Sequence, residues 1–360
     1  MKKSLIEACL LAVLVGTFAA CDDSNEPQQP AVVEVKSVGA YFVNNGKWGA
    51  NNGSIQFYDY ETGAVSEDLY RLANGKGIGD TQDLCVYGSK LYVTCTTSSK
   101  LEVLDLKGRI IKTIPLTTAS AQPMKPRYMT ATGGKVYFTS YDGTVSKLDT
   151  LSLAVEGSVV VGPYPEALTS ANNKLYINIS NYGKGSQVAV VDLVTFTKSK
   201  DIEVLLNPYN QSLTVGGKVY FVSCGTYDNP DIPAENRILQ TLQCIDSATD
   251  KVTNICQASF ISYYDNKMYC IYADYYTPDK QAIFTYDLNT GEKTSLSSVN
   301  ISAIQNPAEI NVDPSNGDIY ISSPDYTGAP GSVYVFDKNG VSKKTLEAGY
   351  YVAGVRFLQQ

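Results

Sequence analysis

The chain has 360 residues, 44% of them hydrophobic and only 18% charged, with 28 glycines and 27 tyrosines, a composition that suits many short strands joined by tight turns around a large core. A net charge of −7 without any long basic run argues against nucleic acid as a partner, although an acidic balance also serves solubility. Histidine is absent, which removes the commonest general base, the Ser-His-Asp triad and imidazole metal ligands together.

Residues 1–20 read as a signal peptide, with Lys2 and Lys3 ahead of a short apolar run, Leu10 to Val15, that is too brief to span a bilayer. Phe18-Ala19-Ala20-Cys21 resembles a bacterial lipobox, in which Cys21 is lipidated and anchors the protein to a membrane; an ordinary secretory cleavage near Ala20 is the alternative. Residues 21–33, with Asp22, Asp23 and Glu26 followed by Pro27, Gln28, Gln29 and Pro30, read as a flexible tether. The acidic start of that tether resembles the surface-export signal of Bacteroidetes lipoproteins, so the expected location is the outer membrane, lipid-anchored and exposed at the cell surface.

From residue 34 to 360 one unit recurs. Lys90 to Gly108 shows it: a strand around Tyr92, a polar loop, a second strand, and a turn opened by Asp105. The first strand returns at Tyr41, Tyr137, Tyr176, Tyr220, Tyr269 and Tyr320, and the turn aspartate at Asp59, Asp149, Asp192, Asp246, Asp287 and Asp337. Seven copies at a period of roughly 40 to 54 residues predict an all-β, seven-bladed β-propeller in one domain, each blade a sheet of four strands a to d. Gly133-Gly134, Gly216-Gly217, Asn172-Asn173 and Gly88-Ser89 mark hairpins between strands a and b. No segment sustains a 3.6-residue period, so helices are expected to be few. The first unit opens without a strand a, and the chain closes with an orphan strand, Tyr351 to Leu358. That strand is predicted to complete the first blade and remove two open edges.

In a propeller the b–c loops and the loops into strand a open on one face. The b–c loops carry Trp48, Tyr141, Tyr182, Tyr227, Tyr275, Tyr276 and Tyr326; the loops into strand a add Met124, Tyr164, Tyr209, Tyr350 and Tyr351. Rings set among Gly, Asn, Asp and Pro predict a ligand-binding face, the other reading being that tyrosine pads any propeller rim. Gln82, Arg127, Glu166, Gln211 and Glu309, at the starts of strands a, are expected to point at the central funnel or to bond the crowded strand ends. Glu166 and Glu309 lie three blades apart, too far to share a proton, and no catalytic residue, metal ligand or cofactor is assigned. Asp228-Asn229-Pro230-Asp231 and Asp313 to Asp318 match no EF-hand spacing and read as turns. Six cysteines remain after Cys9 and Cys21: Cys85, Cys95, Cys224, Cys244, Cys256 and Cys270. Cys224 and Cys244 are the best candidate disulfide, with buried thiols the alternative.

The opening Gly39-Ala40-Tyr41-Phe42-Val43-Asn44-Asn45-Gly46, the run Asn52-Gly53-Ser54-Ile55 into Tyr58-Asp59, and the ending Asn311-Val312-Asp313-Pro314-Ser315-Asn316-Gly317-Asp318-Ile319-Tyr320 resemble the YncE-like propellers among Bacteroidetes surface lipoproteins. That resemblance implies a seven-bladed fold. Through the branch that captures cobalamin over a TonB-dependent transporter, it also implies a non-enzymatic protein that binds cobalamin or another corrinoid and passes it to an outer-membrane partner. A glycan-binding or protein-interaction accessory lipoprotein is the second reading, and a metal-dependent lactonase-like hydrolase the third.

Overall fold

The computed structural model describes residues 36–47, 49–226, 231–274 and 280–360. Seven antiparallel sheets form the ring of a β-propeller. Blades 2 to 7 have four strands each and span 83–115, 126–160, 165–203, 208–257, 260–295 and 309–347. Blade 1 is assembled from both ends of the ring. Its strand b, Ser37–Asn44, pairs antiparallel with strand c, Ser54–Asp59, on one side and with Val352–Gln359 on the other, with Tyr41 opposite Arg356. The closing strand therefore sits where the sequence places it.

Blade 1 departs from the expected four pieces, with three strands and no strand d among the described residues. The edge of its strand c is met by an isolated antiparallel bridge between Tyr58 and Val65, by the Ser66 N–H donating to the Phe57 carbonyl at 2.9 Å, and by two side chains. Ser66 Oγ accepts from Phe57 N at 2.9 Å and Asp68 Oδ1 accepts from Ile55 N at 3.2 Å. Asp68 also caps a one-and-a-half-turn helix, α1 (Leu69–Asn74), whose C-cap Gly75 is left-handed and whose Tyr70 is fully buried. Backbone groups at a sheet edge need partners, and here a short stretch of loop backbone and two polar side chains share the task of a strand.

The repeated tyrosine of strand b has a structural role. Among the described residues the core divides into seven apolar clusters, one at each junction between neighbouring blades. Each strand-b tyrosine inserts into the cluster shared with the next blade, as Tyr176 does between blades 4 and 5 and Tyr320 between blades 7 and 1. Two of the hydroxyls reach the c–d turn of that next blade: Tyr41 donates to the Leu106 carbonyl at 2.8 Å and Tyr176 to the Ser247 carbonyl at 3.4 Å. The repeated aspartates close their own turns, as where Asp192 Oδ1 accepts from the backbone N–H groups of Val194 and Thr195 at 2.9 and 2.8 Å.

The expected Cys224–Cys244 disulfide is not formed, and both sulfurs are buried thiols in the cluster between blades 5 and 6. Cys244 lies opposite Tyr220, four residues before Cys224. That separation is about 13 Å along the strand, well beyond the roughly 7 Å a disulfide can bridge.

Candidate functional site

The b–c and d–a loops surround an open bowl on one face of the ring, with a cavity volume of about 1440 Å³. Gln82, Arg127, Tyr141, Glu166, Tyr182, Tyr209 and Tyr326 all line it. Trp48, Tyr227, Tyr275 and Tyr276 lie outside the described residues, as do Cys21, the signal segment, the tether and the turn 228–230. Two expected residues take other roles. Gln211 is absent from the lining because its Oε1 accepts the Ile261 N–H at 2.8 Å, tying blade 5 to blade 6. Met124 belongs to the core between blades 2 and 3.

Two ion-pair groups form the floor, the first buried and the second half-buried. At the junction of blades 3 and 4, Arg127 Nε donates to Glu166 Oε2 at 3.0 Å, its Nη1 reaches Gln82 Oε1, and its guanidinium lies 4.6 Å from the ring centre of Tyr141. Tyr141 closes the group by donating to Glu166 Oε1 at 3.1 Å. Burial holds the Glu166 carboxyl above the usual carboxylate range, with Arg127 pulling the other way. Burial, reinforced by Glu166, pushes the Tyr209 phenol up to about 12.

At the junction of blades 7 and 1, Arg356 donates to Glu309 Oε1 and to Asp83 Oδ1, each at 3.0 Å. Asn311 Nδ2 donates to the same Glu309 oxygen at 3.1 Å. Sequence reasoning missed Arg356, which lies in the strand recognised only for closing the ring. Gly354, two residues earlier, is the signal that could have found it: a Cβ there would come within 1.9 Å of Glu309 Oε2, so the carboxylate reaches the arginine only past a glycine.

Above the floor the wall is aromatic and amide-rich. Tyr182 and Tyr141 line the wall and both pack on Tyr164, which lies outside the lining, with centroids 5.4 and 5.0 Å apart, and Tyr326 packs on Tyr351 at 5.5 Å. Tyr164, Tyr182 and Tyr351 have φ of 47°, 54° and 53°, a left-handed backbone that bulky side chains adopt at a cost. Asn45, Asn207, Asn210, Gln240, Gln281, Gln305 and Asn306 supply amides. The side-chain oxygens of Asn45 and Asn207 are buried and have no hydrogen-bond partner among the described residues. Among those residues no cluster of acidic or cysteine side chains is arranged to hold a metal ion. The Asp313 carboxylate is occupied by Ser37, Tyr60 and Ser315.

Fold and bowl together define a seven-bladed β-propeller with one concave face walled by tyrosines and lined by amides. The chain belongs to the family described as a domain of unknown function, DUF5074, whose model matches residues 38–359. No curated protein matches it. Similar solved structures include a quinoprotein alcohol dehydrogenase-like protein from Bacteroides thetaiotaomicron, at 17% identity and TM-score 0.62 over 89% of this chain and 78% of that one. The hydrazine synthase of Kuenenia stuttgartiensis matches at 13% identity and TM-score 0.56, over 79% and 89%. Apo AztD from Citrobacter koseri matches at 12% and 0.55, over 90% and 99%. At such identities the likeness is one of fold.

Proposed function

We propose that this protein is a binding protein rather than an enzyme, and that its bowl captures a large neutral molecule fringed with amides or hydroxyls. A corrinoid of the cobalamin class is the leading ligand. In this reading Cys21 carries the lipid that holds the propeller at the outer surface of the outer membrane, and the ligand passes to a TonB-dependent transporter.

One observation carries the reading: a bowl of about 1440 Å³ with tyrosine and amide walls, in whose floor both arginines are already neutralised by carboxylates. The volume exceeds the roughly 300–1,000 Å³ of drug-sized pockets. An anion would find no uncommitted arginine among the described lining residues, whereas rings and amides suit apolar edges and neutral polar groups. Isothermal titration with cyanocobalamin tests it. Stoichiometric binding that weakens in Tyr182→Ala supports capture in the bowl, and absence of heat and of any spectral change at high ligand concentration refutes the corrinoid. The same tyrosine and amide chemistry suits an oligosaccharide, and binding of neutral glycans in place of cyanocobalamin would select that second reading.

A further inference from the structure

Among the described residues six cysteines are free thiols, and two of them meet across the boundary between blades 5 and 6. In blade 5, strand d (Val252–Gln257) sets Cys256 opposite Leu242, which in turn lies opposite Val222. Cross-strand partners share one face of a sheet, and Val222 and Leu242 are fully buried in the cluster between the two blades. In blade 6, strand b (Lys267–Tyr272) sets Cys270 between Ile261 and Phe284, both in the same cluster. The row Val222, Leu242, Cys256 therefore faces the row Ile261, Cys270, Phe284. At that contact the thiols of Cys256 and Cys270 are hydrogen-bonded to each other.

The two thiols are not alike. Cys270 is fully buried, and that burial drives its thiol well above the ordinary range. Cys256 is half-buried, and the bond to Cys270, helped by the Lys293 ammonium, holds its thiol below the ordinary range. Lys293 stands 3.6 Å from the ring centre of Phe284, the residue opposite Cys270. It also lines an open cavity of about 350 Å³ with Gln257, Tyr272 and Ala282. The thiolate is the nucleophile in disulfide exchange, so the more reactive sulfur lies near a way in from solvent and the buried one behind it.

We propose that Cys256 and Cys270 are a thiol pair that closes into a disulfide and staples blade 5 to blade 6. The oxidant is an exchanging disulfide, either a small molecule or carried by a protein. The Cys256 thiolate attacks one of its sulfurs, forms a mixed disulfide and releases the first thiol. The Cys270 thiolate then attacks the Cys256 sulfur and releases the second. The pair gives up two electrons and two protons, and the oxidant leaves as two thiols. A disulfide between facing sheets has a precedent in the immunoglobulin sandwich, and an exported chain meets such oxidants. The staple is independent of what the bowl binds.

The test incubates the full-length protein with oxidised glutathione, blocks the remaining thiols with iodoacetamide and cuts with trypsin. Cleavage after Lys251, Lys267 and Lys280 places the two cysteines in separate peptides, 252–267 and 268–280. The expected result is one linked species of these two peptides, which dithiothreitol separates, and a thermal midpoint about 5 °C higher in the oxidised protein. Cys256→Ser should abolish both effects, and Cys270→Ala should leave Cys256 as its glutathione adduct. A wild-type protein whose two thiols stay free, that stops at the glutathione adduct, or that links the peptides without a rise in midpoint would overturn the staple. Should Cys270→Ala fail to fold, the wild-type linkage and its loss in Cys256→Ser, at the half-buried position, decide the matter.

Discussion

Tyr182 follows Asn181 and precedes Gly183 in three consecutive left-handed residues, with φ of 45°, 54° and 83°. Asparagine and glycine take that conformation readily, and tyrosine does so at about 1–2 kcal/mol. Its ring is mostly exposed, so packing returns little of that cost. Replacing it by asparagine should therefore leave the thermal midpoint unchanged or higher while ligand affinity falls; a lower midpoint would show that the ring stabilises the fold. Arg127 presents the opposite balance, because its side chain and that of Glu166 are only 9% and 2% exposed. In Arg127→Met a buried carboxylate loses its cation, a loss of about 3–5 kcal/mol near neutral pH. Burial already holds the Glu166 carboxyl above its unfolded value, and without Arg127 it rises further. A carboxyl raised in the fold favours folding when protonated, so the variant should recover stability as the pH falls towards about 5 and lose it again as the pH rises. Denaturant midpoints across that range measure it, and a deficit that does not change with pH would refute it. The polar character of Arg127 and Glu166 was legible from their place at the start of a strand, but their partnership across two blades was not, since spacing in sequence carries no register between sheets.

The c–d turn is the element repeated most faithfully. Backbone N–H groups hold the Asp192 carboxyl below its usual range, that of Thr195 most of all, and the same cause acts at Asp246 and Asp287. A carboxyl lowered in the fold contributes stability above its unfolded value, near 4, that is lost as the pH falls through the folded value. Asp192→Ala should therefore lower the thermal midpoint most above about pH 4.5, and the gap to wild type should close as the pH approaches about 2. A gap of constant size would mean that the aspartate acts through shape rather than charge. These turns, the strand-b tyrosines and the glycine or asparagine hairpins were readable because each is a repeated local rule, the tyrosine and the turn aspartate written seven times and the hairpin dipeptide four. The substitute for strand d in blade 1 was not. A one-residue bridge at Val65 and the side chains of Ser66 and Asp68 close that edge, and nothing in their spacing distinguishes an edge partner from a loop.

The ring as a whole is closed by pairing along one strand, Val352–Gln359 against Ser37–Asn44. Ending the chain at Tyr350 would expose the edge of Ser37–Asn44, strip Val352 and Val355 from the cluster between blades 7 and 1, and remove Arg356 from Glu309 and Asp83. The expected outcome is a protein that aggregates during refolding, read by light scattering, with recovery when a peptide of residues 351–360 is added. A monomeric, cooperatively folding product would overturn it. The same closure imposes an order of events in the cell. Blade 1 begins with some of the earliest residues of the propeller to leave the ribosome, yet waits for the last ones, so six blades can stack while the first remains an unsealed edge. Every prematurely terminated copy then carries the same defect, and quality-control proteases need recognise one exposed strand to tell a finished molecule from an unfinished one.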